Sequence, residues 1–138
     1  MTILLEIITP EKVVYKNEVD EVIAPTVNGE IAILPNHVGL LTQIVPGELI
    51  VKKGHKDQSI AITGGFLEIN NNHISILADF AIKAEDINVA KAQEARKRAE
   101  HLMKEKRTEQ DFRLVEAELR KTILQLQVAR KRRVIQAS

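Results

Sequence analysis

Asp79-Phe80-Ala81-Ile82-Lys83-Ala84-Glu85-Asp86 is the stretch in which the chain changes its hydrophobic period. Before it, short β-branched runs alternate with Gly, Pro and Asn; after it, an Ala-rich, strongly charged run continues to Ser138. No Gly or Pro follows Gly65, so nothing in the later run interrupts a helix. The expected architecture is an all-β head over residues 1–84 and a helical arm over residues 85–138.

Reading back from that boundary, turn signals recur at Thr9-Pro10, Lys16-Asn17, Asn28-Gly29, Leu34-Pro35-Asn36, Pro46-Gly47, Lys53-Gly54, Gly64-Gly65 and Asn70-Asn71-Asn72. The Val, Ile and Leu runs between them have strand length, the pattern of an antiparallel sandwich or barrel. Asn28-Gly29 lies between Val22-Ile23-Ala24 and Ile31-Ala32-Ile33, where positive-φ residues predict a tight hairpin. Adjacent glycines at 64 and 65 predict a bulge or a close backbone approach.

Reading forward, Asp86 is the expected N-cap of a first helix with Ala92, Ala95, Ala99 and Leu102 on its inner face. Thr108-Glu109-Gln110-Asp111 resembles a capping box that starts a second helix, with an apolar stripe of Phe112, Val115, Leu119, Ile123 and Leu126. The segment Lys104-Glu105-Lys106-Arg107 would turn one helix back on the other. Helices of this length are marginal alone in water, so each needs a packing partner.

Charge divides the same way. Residues 1–84 carry 6 Lys/Arg against 10 Asp/Glu, whereas residues 85–138 carry 14 against 9, an asymmetry hidden in a net charge of +1. The arm interleaves its bases with acids and has Phe112 as its one aromatic, so the continuous basic stripe and stacking platform of a nucleic-acid binder are missing. His37, His55, His73 and His101 have no metal-ligand spacing. No nucleophile–base motif or Gly-rich phosphate loop is present, so neither a catalytic residue nor a metal is expected. The absence of cysteine fits a reducing compartment. No apolar run approaches the roughly 18–20 residues of a membrane span, and Met1-Thr2-Ile3 opens into a strand-like run without a leader, so a soluble, unprocessed chain is expected.

Gly29-Glu30-Ile31-Ala32-Ile33-Leu34-Pro35-Asn36-His37-Val38-Gly39-Leu40-Leu41-Thr42 and Pro46-Gly47-Glu48-Leu49 carry a resemblance. So do Gly64-Gly65-Phe66-Leu67-Glu68, Ile76-Leu77-Ala78-Asp79 and Ala84-Glu85-Asp86-Ile87. In this order and spacing the blocks resemble the epsilon subunit of bacterial and chloroplast F-type ATP synthases, along the whole chain. The resemblance implies a sandwich of about ten strands attached to the gamma subunit and resting on the c-ring, followed by an antiparallel helical hairpin. It implies a non-catalytic rotor subunit that couples ring rotation to the catalytic head-piece. The hairpin would fold down on the sandwich or extend along gamma and inhibit ATP hydrolysis. The complex would translocate protons or sodium ions, with this subunit peripheral on the cytoplasmic face of a bacterial plasma membrane or the stromal face of a thylakoid.

Individual residues have a plain reading beside the implied one. Glu30, after a turn, is by itself a solvated carboxylate, and His37 a turn residue; the resemblance places both at the c-ring and gamma contact. Arg113, Arg120, Lys121, Arg130, Lys131, Arg132 and Arg133 read as a solvated face or as favourable charge near a helix C-terminus. The resemblance makes them an inhibitory basic surface that meets the beta and alpha catalytic subunits. Many bacterial members bind ATP through an aliphatic residue, Asp, two variable residues, Arg and Ala; here the stretch is Ile87-Asn88-Val89-Ala90-Lys91-Ala92. Asn88 and Lys91 replace the carboxylate and the guanidinium, Ala92 and Arg98 are kept, and Lys121 and Gln125 stand where arginines are usual. Weak or absent ATP binding is expected, with no cofactor; an ATP-sensing two-helix module is the alternative.

Overall fold

Ile3, Leu5 and Ile7 are completely buried while Leu4, Glu6 and Ile8, alternating with them, are half-buried, the two-residue period of a strand with one face on a core. The computed structural model describes residues 1–105 and 108–137, with side chains through Lys131. These residues form β1 (Ile3–Ile8), β2 (Val13–Val19), β3 (Glu21–Thr26), β4 (Gly29–Ile33) and β5 (Leu40–Ile44). Then follow β6 (Gly47–Lys53), β7 (Lys56–Ile62), β8 (Gly65–Asn70), β9 (His73–Ala78) and β10 (Ala81–Lys83). A 3-10 turn at Ala84–Asp86 leads to α1 (Val89–Met103) and α2 (Glu109–Ala137). The chain divides into two compact units, Met1–Lys83 and Ala84–Ser138.

The first unit is the expected all-β sandwich. Its strands run in the order β10-β7-β6-β3-β5-β8-β9-β1-β2, with β4 paired to β3 beside this path. β1 lies parallel to β9 and antiparallel to β2, and the other pairings are antiparallel. The continuous path folds over a core of Leu5, Ile7, Val22, Leu49, Ile60, Leu67 and Ile76, each fully buried.

Turn chemistry sets the registers. In the β3–β4 hairpin Thr26 pairs with Gly29, so the turn residues are Val27 and Asn28, and positive φ falls on Gly29 (103°) and not on Asn28. Thr26 Oγ1 closes this turn, donating to Gly29 O at 2.6 Å and accepting from Asn28 N at 3.2 Å. Between β8 and β9, Asn71 (φ 49°) and Asn72 (φ 60°) both occupy the left-handed region that a two-residue hairpin turn demands. Gly65, at φ 146°, makes the close backbone approach expected there. A Cβ on it would overlap the Leu77 carbonyl oxygen and lie 2.9 Å from Ala78 Cα.

In the second unit α1 and α2 pack as a helical hairpin, and α2 also packs on the Ala84–Asp86 turn. Ala92 and Ala99 of α1 are buried, small enough for a close helix approach. The expected cap at Asp86 is displaced two residues: Asp86 ends the 3-10 turn, and Asn88 caps α1, its side chain accepting from Lys91 N at 3.1 Å. Thr108 caps α2 as expected, accepting from Asp111 N at 3.1 Å. The expected α2 stripe is incomplete. Phe112 is exposed, while Thr122, Val128 and Ala129 are buried. Lys106 and Arg107, expected in the interhelical turn, lie outside the described residues.

Candidate functional site

Pro35 and Asn36 form the centre of the turn that presents His37. Proline fixes φ at the second turn position, Asn36 supplies positive φ (63°) at the third, and His37 N donates to Leu34 O at 3.1 Å. His37 is half-buried, with Nδ1 2.7 Å from the Val38 carbonyl oxygen, so the Nδ1–H tautomer donates there. Glu30 is exposed on β4, opposite Pro25. Among the described residues no hydrogen bond or ion pair joins Glu30 to His37; they share the β4 strand-and-loop segment and nothing closer.

The same unit carries an apolar outer face that the sequence pattern did not single out. Leu41 on β5, Phe66 on β8 and Leu77 on β9 are more than half exposed, on neighbouring strands. Phe66 is directly opposite Leu77, and Leu77 opposite Ile8 on β1. Ile8, Phe66 and Leu77 border a groove of about 440 Å³. The strands' inward residues, Leu67, Ile76 and Ile7, fill the core, so both faces of this part of the sheet are apolar. The signal was present as apolar residues at consecutive positions, Phe66-Leu67 and Ile76-Leu77, where one-sided burial requires alternation.

On α2 the cations fall into two groups. Arg113 pairs with Glu109 at 2.7 Å, Arg120 with Glu116, and Lys121 with Glu118 at 3.5 Å. Each acid precedes its base by three or four residues, the orientation that complements the helix dipole, and at these exposures each pair is worth a few tenths of a kcal/mol. Glu118 is the last acid in the chain. Arg130 and Lys131 are exposed beyond it, and the side chains of Arg132 and Arg133 lie outside the described residues. The sequence therefore places four consecutive cations, Arg130 to Arg133, beyond the last acid of the chain.

Neither of the two grooves described on this unit is lined by all four residues of the ATP motif. Asn88, Lys91 and Ala92 sit at the start of α1, where Asn88 is engaged as the cap and Ala92 is buried in helix packing. Arg98, two turns on, lines a separate groove of about 220 Å³ with Glu118 in its wall. A larger groove of about 740 Å³ between the helices is lined by Gln93, Arg96, Lys97, Leu126 and Arg130, with none of the four motif residues. Among the described residues no cluster of three or more His, Asp or Glu is placed to hold a metal. No described helix is long and apolar enough to cross a membrane.

Burial pushes the phenol of Tyr15 above its ordinary value of 10.0. Its ring is packed in the core, and the Lys83 ammonium lies 5.8 Å from its centroid.

Comparison with known proteins places this arrangement. The beta-sandwich domain of the ATP synthase Delta/Epsilon chain matches residues 2–84, and the long alpha-helix domain of the same chain matches residues 85–130. The ATP synthase epsilon chain of Herpetosiphon aurantiacus is 44% identical over 133 residues, 96% of this chain and 98% of that one. The epsilon chain of Dehalococcoides mccartyi is 45% identical over 130 residues, covering 94% and 93%. Two solved structures share the fold. A chain of the Euglena gracilis mitochondrial ATP synthase OSCP/F1/c-ring matches with TM-score 0.69 and 24% identity, covering 86% of this chain and 76% of that one. A chain of the Tetrahymena thermophila mitochondrial ATP synthase central stalk/c-ring matches with TM-score 0.58 and 16% identity, covering 91% and 95%. Two domain matches that meet between residues 84 and 85, and relatives collinear over nearly the full length, show that the chain belongs to the ATP synthase delta/epsilon chain family.

Proposed function

We propose that this chain is a non-catalytic subunit of the central stalk, coupling c-ring rotation to the catalytic head-piece and restraining ATP hydrolysis through α1 and α2. The observation that carries the reading is the division at Lys83/Ala84 into a sandwich with its own core and a helical unit whose second helix carries four consecutive cations beyond the last acid. The sandwich attaches to the gamma subunit and rests on the c-ring, with Glu30 and His37 at the contact. Its apolar outer face supports attachment through this unit, because contiguous exposed apolar surface is gained back from water on association. The positive end of α2, from Arg130 to Arg133, supports contact with acidic surface on the beta and alpha subunits. The subunit is peripheral, touches the membrane only through the ring, and lies on the cytoplasmic face.

No cofactor is assigned. The neutral amide of Asn88 where the motif has a carboxylate, and the replacement of Arg by Lys91, favour weak or absent ATP binding. Restraint then follows from differential contact of the helices with two states of the enzyme, which need differ by only a few kcal/mol. Co-purification with the other synthase subunits, with cross-linkers at Glu30 and Lys131, tests the reading. Glu30 should link to the c-ring and Lys131 to a catalytic subunit; failure to co-purify would refute it.

A further inference from the structure

Of the six cations in residues 1–84, Lys16, Lys53, Lys56 and Lys83 line one groove of about 360 Å³. Tyr15, Asn17 and Gln58 complete its polar wall, and no carboxylate lines it, although the same residues 1–84 carry ten acids. Lys16 reaches Glu6 at 3.7 Å. Lys53, Lys56 and Lys83 have no carboxylate partner among the described residues. The nearby Asp20 is already committed, accepting from Gly54 N at 2.6 Å.

Lys53 and Lys56 are register partners at the end of the β6–β7 hairpin, and like charges directly opposite one another destabilise a strand pair. Protection of sheet edges accounts for lysines on β2 and β10, the outermost strands, but β6 and β7 are interior. Lys83 is held over the Tyr15 ring at 5.8 Å. A groove that gathers ammonium groups and excludes acids attracts an anion. Lysine binds phosphate as a point charge, and the Asn17 and Gln58 amides add neutral donors.

We propose that this groove binds a phosphate group, carried by a small soluble phosphate or by an anionic lipid headgroup. The test is an NMR titration of the full chain with sodium pyrophosphate at low salt, beside sedimentation with phosphatidylglycerol and phosphatidylcholine vesicles. Pyrophosphate should shift the amides around Lys53, Lys56 and Lys83 saturably, less so as salt rises. Lys53→Gln with Lys56→Gln should weaken binding about tenfold or more, and Lys83→Gln, on another strand, should weaken it too. The double substitution removes like-charge repulsion, so its denaturation midpoint should be no lower than the parent's, separating lost binding from lost folding. Phosphatidylglycerol binding that the double substitution abolishes identifies the lipid source; pyrophosphate binding without it identifies the soluble one. Binding to neither probe overturns the proposal. So does binding that the double substitution leaves unchanged, which would put the anion on the basic end of α2.

Discussion

Asn72 Oδ1 accepts a hydrogen bond from Asn36 N at 2.7 Å, across 36 positions of sequence. The same amide donates through Nδ2 to Thr2 O at 2.9 Å, so one side chain ties the start of β1, the turn before His37 and the β8–β9 turn together. Because Asn72 is also at φ 60°, Asn72→Gly removes the clasp while keeping the backbone conformation. It should cost about 1–2 kcal/mol in denaturant unfolding and abolish hydrogen-exchange protection at the Asn36 amide. Asn72→Asp keeps the acceptor and loses the donor, so the Asn36 amide should stay protected. Equal protection in the parent and in Asn72→Gly would show that the clasp does not hold the turn.

Gly65 and Gly29 both have positive φ, but they differ in surroundings. A Cβ on Gly29 meets nothing within 4 Å, whereas one on Gly65 meets the backbone of Leu77 and Ala78. Gly29→Ala should cost about 1 kcal/mol, a conformational cost alone, and Gly65→Ala more than about 3 kcal/mol because backbone of β9 cannot step aside. Urea unfolding of the two variants decides; equal losses would mean that β8 and β9 are not so closely apposed.

These glycines also show what could be read without coordinates. Turns written in consecutive residues, such as Pro35-Asn36 and Asn71-Asn72, were legible because backbone preference is local. The Asn72 clasp was not, since its partners are far away in sequence. Asp86 was a fair cap by type, but the Ala84–Asp86 turn uses it, and the cap falls to Asn88. In α2 a single stripe was expected, yet Leu126 and Val128 lie on nearly opposite sides of the helix and neither is exposed; α2 packs on the 84–86 turn as well as on α1. The candidate contact residues Glu30 and His37 rested on resemblance to known sequences, because an exposed carboxylate and a turn histidine carry no local signature. The Lys53–Lys56 opposition needed the β6–β7 register.

Tyr15 is the single tyrosine in a chain without tryptophan, so its phenolate absorbance can be followed directly. Its pKa is raised in the folded state by burial. The stabilisation linked to the neutral phenol is complete below the unfolded value near 10 and is lost as pH rises through the folded value. Native protein should therefore ionise above 10 and denatured protein near 10, and Tyr15→Phe should lose less stability than the parent as pH rises past 10. A native titration at the denatured value would remove the basis for this.

Asn88 serves helix α1 by its side-chain oxygen, which both Asn and Asp provide. Asn88→Ala should cost about 1 kcal/mol and expose the Lys91 amide to exchange, and Asn88→Asp should be close to neutral. If the nucleotide motif is merely eroded, Asn88→Asp with Lys91→Arg should strengthen ATP binding in calorimetry. Micromolar ATP affinity in the unaltered chain would contradict the reading of these two residues.

The account turns on a sandwich that attaches and a helical unit that restrains. Its most direct test is ATP hydrolysis by a synthase assembled with the chain ended after Ala84. The sandwich should still co-purify with the complex and support ATP synthesis, while hydrolysis rises several-fold over that of the complex with the full chain. Hydrolysis unchanged in a fully assembled complex would contradict restraint by α1 and α2, and failure of the shortened chain to join the complex would contradict attachment through the sandwich.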